Sequence, residues 1–179
     1  IESGVARISG KNRFLTAFAI ADELKAVLGT EKFEAVVVAY SHNFPDALTG
    51  SYLAAVKDAP VLLVNDDVIA DVQAYITENL AADGTVYILG GTAAVSEEFE
   101  AAVSAFQRLK GSNRYGTNLA ILEEAGVTAD QEILVCTGTN YADSLSASAT
   151  GLPMLMVEKE LTAEQKAFLE GRTGKITII

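Results

Sequence analysis

Asp46 and Asp143 each stand three residues after an asparagine and just past an apolar run, in SHNFPDAL (41–48) and GTNYADSL (138–145). A carboxylate at the carboxyl end of a buried strand is where α/β enzymes keep general bases and metal ligands. The same spacing also starts a helix. Asn43 or Asn140 would be the cap, Pro45 suits the first turn, and an acid at the third helical position can reach back to the cap amide. The helix dipole adds ~0.3–1 kcal/mol for such an acid. Catalysis asks for a second titratable group nearby. Asp66 and Asp67 follow the next apolar run and could join Asp46 around Mg²⁺, but the later stretch has Glu158 and Lys159 there, and a lysine opposes a cation. His42, the only histidine, is answered by Thr139. These residues therefore read first as a helix start in a scaffold. Ligand contact by Asn43, Asp46, Asn140 and Asp143 comes second, and no catalytic residue, metal or cofactor is expected.

Arginine carries more information. Four of the five arginines, Arg7, Arg13, Arg108 and Arg114, lie in a repeated R-x-x-G-x-x-R element of a chain whose net charge is −11. Guanidinium forks pair with carboxylates and phosphates. Arg13 and Arg114 could bridge to Asp46 and Asp143 within each copy. Ligand binding is the other reading, and both hold if one arginine of each pair is internal and the other faces a groove. The glycine between them fits a sharp turn into a helix beginning near Asn12 or Asn113. Gly90 and Gly91, in GGTAAV, leave a strand and lead to a helix. Their amides could meet an anion, although the chain has neither phosphate-loop nor dinucleotide-binding spacing. Cys136 is the only cysteine, which excludes an internal disulfide and a cysteine zinc site. It lies in the apolar run ILVC and reads as a buried structural thiol.

The elements that must position these residues come twice. RISGKNRFLTAFAIADE (7–23) aligns with RLKGSNRYGTNLAILEE (108–124), VVVAYSHNFPDALTGS with ILVCTGTNYADSLSAS, APVLLV with LPMLMV, and TVYILGG with KITII. Four blocks in the same order define two repeats, expected at 1–106 and 107–179, the second stopping before a Gly-Gly of its own. The runs 35–39, 60–64, 86–89, 132–136, 153–157 and 176–179 are short and rich in Val, Ile and Leu. Such runs mark strands buried on both faces of a parallel sheet. Helical stripes lie between them, at Val68, Val72, Ile76 and Leu80, and at Phe99, Ala102, Val103 and Phe106, with Ser96 as a helix start. Strand–helix alternation predicts βαβ units with right-handed crossovers, hence α/β modules with parallel sheets in three-layer sandwiches.

Composition narrows the partners. Of 179 residues, 50% are hydrophobic and 21% charged, which suits a globular chain rather than a disordered one. No apolar run approaches the ~18 residues of a membrane span. A surface this acidic repels nucleic acid and anionic membranes. No signal peptide is evident, and the chain reads as a mature fragment or excised domain.

The ordered set R-x-x-G-x-[ND]-R-[FY]-x-T, N-[FY]-[PA]-D-[AS]-L, P-x-L-[LM] and an apolar run ending in Gly-Gly-Thr resembles the cell-wall-binding repeat type 2 family of Gram-positive surface proteins. The resemblance covers one full repeat and most of another. It implies Toprim-like α/β modules, commonly three in tandem around a pseudo-threefold axis. It also implies noncovalent anchoring to an anionic secondary wall polymer, teichoic-acid-like or polysaccharide, at the surface of a Gram-positive cell. The family-pattern positions are Arg7, Arg13, Asn43, Asp46, Gly90 and Gly91 in the first copy, and Arg108, Arg114, Asn140 and Asp143 in the second. Ala142 and Ser144 depart from the motif's proline and alanine. Two competing functions are a Mg²⁺-dependent phosphotransfer or hydrolase site on Asp46 with Asp66 or Asp67, and a purely architectural oligomerisation unit.

Overall fold

The computed structural model describes residues 4–179; the first three residues of the expected first repeat lie outside the described residues. Helix α1 (Arg13–Leu28) leads to strand β1 (Phe33–Tyr40), then α2 (Pro45–Val56) and β2 (Val61–Val64). A short 3₁₀ turn precedes α3 (Ile69–Asn79), followed by β3 (Leu80–Leu89) and α4 (Glu97–Ala101). The second copy repeats the order from β4 (Phe106–Leu109) through α5 (Arg114–Glu124), β5 (Ile133–Thr137), α6 (Ala142–Ser148), β6 (Met154–Val157), α7 (Ala163–Leu169) and β7 (Ile176–Ile178). All six apolar runs are strands, and every pairing is parallel. The sheets run β2-β1-β3-β4 and β6-β5-β7.

Alternation along β1 and β3 explains the layers. Val36, Val38, Val86 and Ile88 face α1 and α3, packing with Ala21, Val72 and Ile76. Ala35, Val37, Tyr87 and Leu89 face the other way, onto Tyr52 and Leu53 of α2. The first copy is thus helix, sheet and helix, as its βαβ pattern requires. The outer side of α2 is covered by the second copy. Ile121 and Leu122 of α5 and Ile133, Val135 and Leu155 of its sheet join the same buried cluster. Fully burying a side chain such as Leu53 is worth about 1.5–3 kcal/mol.

One expected helix is shorter than its stripe. Phe99 is buried in α4, but the last amides turn to i−3 bonds (Ala102 to Phe99, Val103 to Glu100) and the helix ends. Phe106 opens β4 instead, in parallel register with β3 (Val86 with Phe106 through Leu89 with Leu109). Thus the first strand of the second copy closes the sheet of the first.

Candidate functional site

The repeated motif first builds a corner. Asn12 and Asn113 cap α1 and α5, their side chains accepting from Leu15 N–H in one copy and from Tyr115 and Gly116 N–H in the other. Gly10 N–H donates to Thr16 Oγ1 at 3.0 Å, and Gly111 N–H to Thr117 Oγ1 at 3.1 Å. A Cβ on Gly111 would stand 2.3 Å from the backbone of Gly116, so only glycine lets strand and helix meet this closely. From this corner the second arginine of each motif reaches the end of a strand. Arg13 Nη1 donates to Ser41 O (2.6 Å), and Arg114 Nη1 to Gly138 O (2.7 Å), the same position in both copies. Each arginine therefore ties a helix start to the carboxyl end of the neighbouring strand.

These bonds replace the expected arginine–aspartate bridges. No ion pair joins Arg13 to Asp46 or Arg114 to Asp143 among the described residues. Arg114 acts across the junction instead. Its charge faces Asp46 of the other copy, and its Cζ lies 5.8 Å from the ring centre of Phe44. Burial pushes the Asp46 carboxyl above its ordinary 3.8, and the Arg114 charge opposes that rise. Gly90 (φ +92°) ends β3 against this carboxylate, because a Cβ there would lie 2.6 Å from Asp46 Oδ2.

The capping assignment also shifts by one residue. Phe44 and Tyr141 are the N-cap positions of α2 and α6, with no side-chain cap bond. Asn43 and Asn140 sit one step earlier, accepting from Phe44 N–H (3.0 Å) and Ala142 N–H (3.3 Å). Asp46 and Asp143 are second in their helices rather than third. Ser96 precedes α4 as expected, yet its Oγ is buried without a partner among the described residues.

Arg108 is internal. Its side chain is 7% exposed, its Nε pairs with Glu100, and it donates to Gly90 O and Val95 O, both at 2.8 Å. Arg7, its counterpart, is exposed. Asn43, Asn140 and Asp143 are exposed as well, Gly90 is buried, and Gly91 is half-buried. Arg13, Asn43, Asp46, Gly90, Arg114, Asn140 and Asp143 therefore share the end of the molecule where β1, β3 and β5 finish. Arg108 meets them only through the Gly90 carbonyl.

An open groove of about 320 Å³ lies there, lined among others by Arg13, Tyr40, His42, Asn43, Phe44 and Leu48. Its aromatic content was not among the expected site residues, although Phe44 and Tyr141 occupy the [FY] position of the repeated motif. Among the described residues no group of three His, Cys, Asp or Glu side chains could hold a metal ion. Asp66 and Asp67 are exposed, in the 3₁₀ turn before α3. Cys136 is buried, and burial, helped by the Asp143 charge, pushes its thiol up to about 11, which suits packing rather than nucleophilic work.

Comparison with known proteins agrees with this geometry. Residues 7–100 and 108–179 match the model of cell wall binding domain 2, once for each copy. The chain is 31% identical over 169 residues to N-acetylmuramoyl-L-alanine amidase LytC of Bacillus subtilis, covering 88% of this chain and 32% of that protein. It is also 31% identical over 144 residues to the amidase enhancer of the same organism, covering 79% of this chain and 18% of that one. Among solved structures, Cwp8 from Clostridium difficile superposes with a TM-score of 0.82 at 28% identity, over 96% of this chain and 30% of Cwp8. Cwp6 from the same organism gives 0.78 at 25%, over 96% of this chain and 28% of Cwp6. The chain thus spans a third or less of each of these relatives.

Proposed function

The chain belongs to the cell wall binding domain 2 family, and from that premise we propose that its polymer-contacting surface is the strand-end face carrying Arg13, Asn43, Asp46, Arg114, Asn140 and Asp143. Wall binding at the surface of a Gram-positive bacterium is the family's role. The polymer is read as an anionic secondary wall polymer, held without covalent chemistry. The observation that carries this reading is the pair of strand-end arginines, placed identically in the two copies and surrounded by hydrogen-bonding side chains. Net charge does not forbid it. Charge further away than ~8 Å is screened at physiological salt, so two local guanidinium groups decide the contact. Weak sites repeated along one chain also gain by avidity. The module has no chemistry of its own in this reading; a catalytic domain would lie elsewhere in the parent protein.

We further propose that another repeat packs on each end of this pair. Ile121 of α5 is completely buried, whereas its counterpart Ile20 on α1 is 53% exposed. Leu48 of α2 packs into the second copy's core, whereas its counterpart Leu145 on α6 is 53% exposed. Strand β3 is paired by β4, whereas its counterpart β7 pairs only with β5 among the described residues. The interface between the copies is therefore available again at both ends, which a third repeat would close.

The test is cosedimentation with purified Gram-positive cell walls, before and after acid extraction of secondary polymers. Binding should vanish on extraction and weaken at high salt. Arg13→Ala and Arg114→Ala should each weaken it severalfold with the chain still folded, while Arg108→Ala should instead lower the melting temperature, as removing one partner of a largely buried pair costs up to about 3–5 kcal/mol. Full binding by extracted walls would sink the polymer reading.

A further inference from the structure

Aromatic side chains line the strand-end groove. Tyr40 and His42 stand with ring centres 5.3 Å apart, and Phe44 follows on the same loop. Across the junction Tyr141 meets Phe44 edge-on at 6.1 Å, yet remains 58% exposed. Four rings thus run from the groove of the first copy to the junction with the second. Arg13 lies in the groove wall and Arg114 lies over the Phe44 ring. The second copy lacks the first two of these rings. Thr137 and Thr139 occupy the positions of Tyr40 and His42 and bond to one another at 2.8 Å.

Tyr141 is exposed beside polar groups, an arrangement that suits a ligand with one apolar and one hydrogen-bonding side. The CH face of a pyranose is flat and apolar while its edge carries hydroxyl groups. It can therefore lie on an aromatic ring and hydrogen-bond the polar groups around that ring. Phosphate or carboxylate substituents on such a sugar would meet the flanking guanidinium groups. We propose that His42, Phe44 and Tyr141 form a sugar-stacking subsite, taking one glycosyl unit of an anionic glycan between Arg13 and Arg114. This inference rests on the wall-polymer reading and deepens it. The arginines take the charge and the rings take the sugar, and the site is single per pair of repeats.

His42 and Tyr141 are exposed, so their substitution leaves the core intact. Polysaccharide released from walls by acid extraction would be titrated into wild type, His42→Ala, Tyr141→Ala and Tyr141→Trp at two salt concentrations. Each alanine variant should lose affinity about tenfold, the loss of one stacked ring, by the same factor at low and high salt. Arg13→Ala should instead flatten the salt dependence. Tyr141→Trp should bind like wild type. Because the chain has no other tryptophan, its emission should shift on saturation. If wild type binds while both alanine variants bind equally well and the tryptophan is silent, the stacking subsite is wrong and the anchoring reading stands. If wild type itself fails to bind walls or the released polysaccharide, both fall together.

Discussion

Asp46 shows how far a residue's part can be read from its neighbours in sequence. The motif correctly announced a carboxylate at a helix start beyond a strand. The chain did not announce that an arginine from the other copy would face it, because Arg114 is 68 positions away and arrives only when the copies pack. For the same reason the expected Arg13–Asp46 and Arg114–Asp143 bridges gave way to carbonyl bonds at Ser41 and Gly138. Residue type does not say which acceptor a guanidinium will find. Partial burial raises the folded pKa of Asp46 above the 3.8 of an exposed aspartate, and that sets the sign of its pH dependence. The folded state favours the protonated form. The stabilisation that follows is fully present below 3.8 and is lost as pH rises through the folded value, leaving a partly desolvated carboxylate at neutral pH. Asp46→Asn removes that titration. Its melting temperature relative to wild type should therefore rise between pH 3.5 and pH 7. A constant difference across that range would show that the carboxylate is as well solvated folded as unfolded.

Among the elements, the apolar strand runs were plain because a strand buried on both faces leaves no polar alternation to confuse it. Strand β4 was not plain. Phe99, Ala102, Val103 and Phe106 keep helical spacing, and nothing local says that β3 has an open edge needing a partner. Tertiary pairing overrode the pattern. The β6 edge is handled differently, and equally out of sight of the sequence. Asn118, 1% exposed, accepts from Met156 N–H at 3.0 Å and donates to Met154 O at 2.8 Å, standing in for a neighbouring strand. It also donates to Thr49 Oγ1 of α2 at 3.1 Å, so one side chain blocks a sheet edge and joins the two copies. Its counterpart in the first copy is Ala17, and no repeat argument could have marked it. Asn118→Ala would strand a buried amide and a buried carbonyl. The expected loss is about 3 kcal/mol in urea unfolding, since each orphaned group costs about 1–3 kcal/mol. Asn118→Asp should be as damaging, because it keeps the acceptor for Met156 but loses the donor to Met154. A loss below 1 kcal/mol in both would mean that water replaces the amide at no cost.

For the whole molecule, the repeat in sequence and the unit of folding are different things. The chain reads as two copies, but the largest buried cluster draws on both, with Leu53 and Tyr52 of α2 lying against Ile121 and Leu122 of α5. Lys57 pairs with Glu124 at 3.0 Å, and Gln131 donates to the Tyr52 hydroxyl at 2.6 Å, so the polar rim of that contact is satisfied as well. The second copy also lends β4 to the first sheet. Separating the copies would uncover the outer face of α2 and open the β3 edge at once, so neither half should be stable alone. Heating should therefore give one transition, with the same midpoint by backbone dichroism and by tyrosine signal, and with calorimetric and van't Hoff enthalpies that agree. A fragment ending at residue 104 should be unfolded or aggregated, because it keeps every helix of the first copy yet lacks both β4 and the cover of α2. Adding residues 105–179 in trans should rescue it only in stoichiometric complex. If instead that fragment melts cooperatively by itself, each repeat is an autonomous domain and the shared core is a docking surface. The open faces at Ile20 and Leu145 would then be sites for reversible exchange of repeats rather than parts of one obligate assembly.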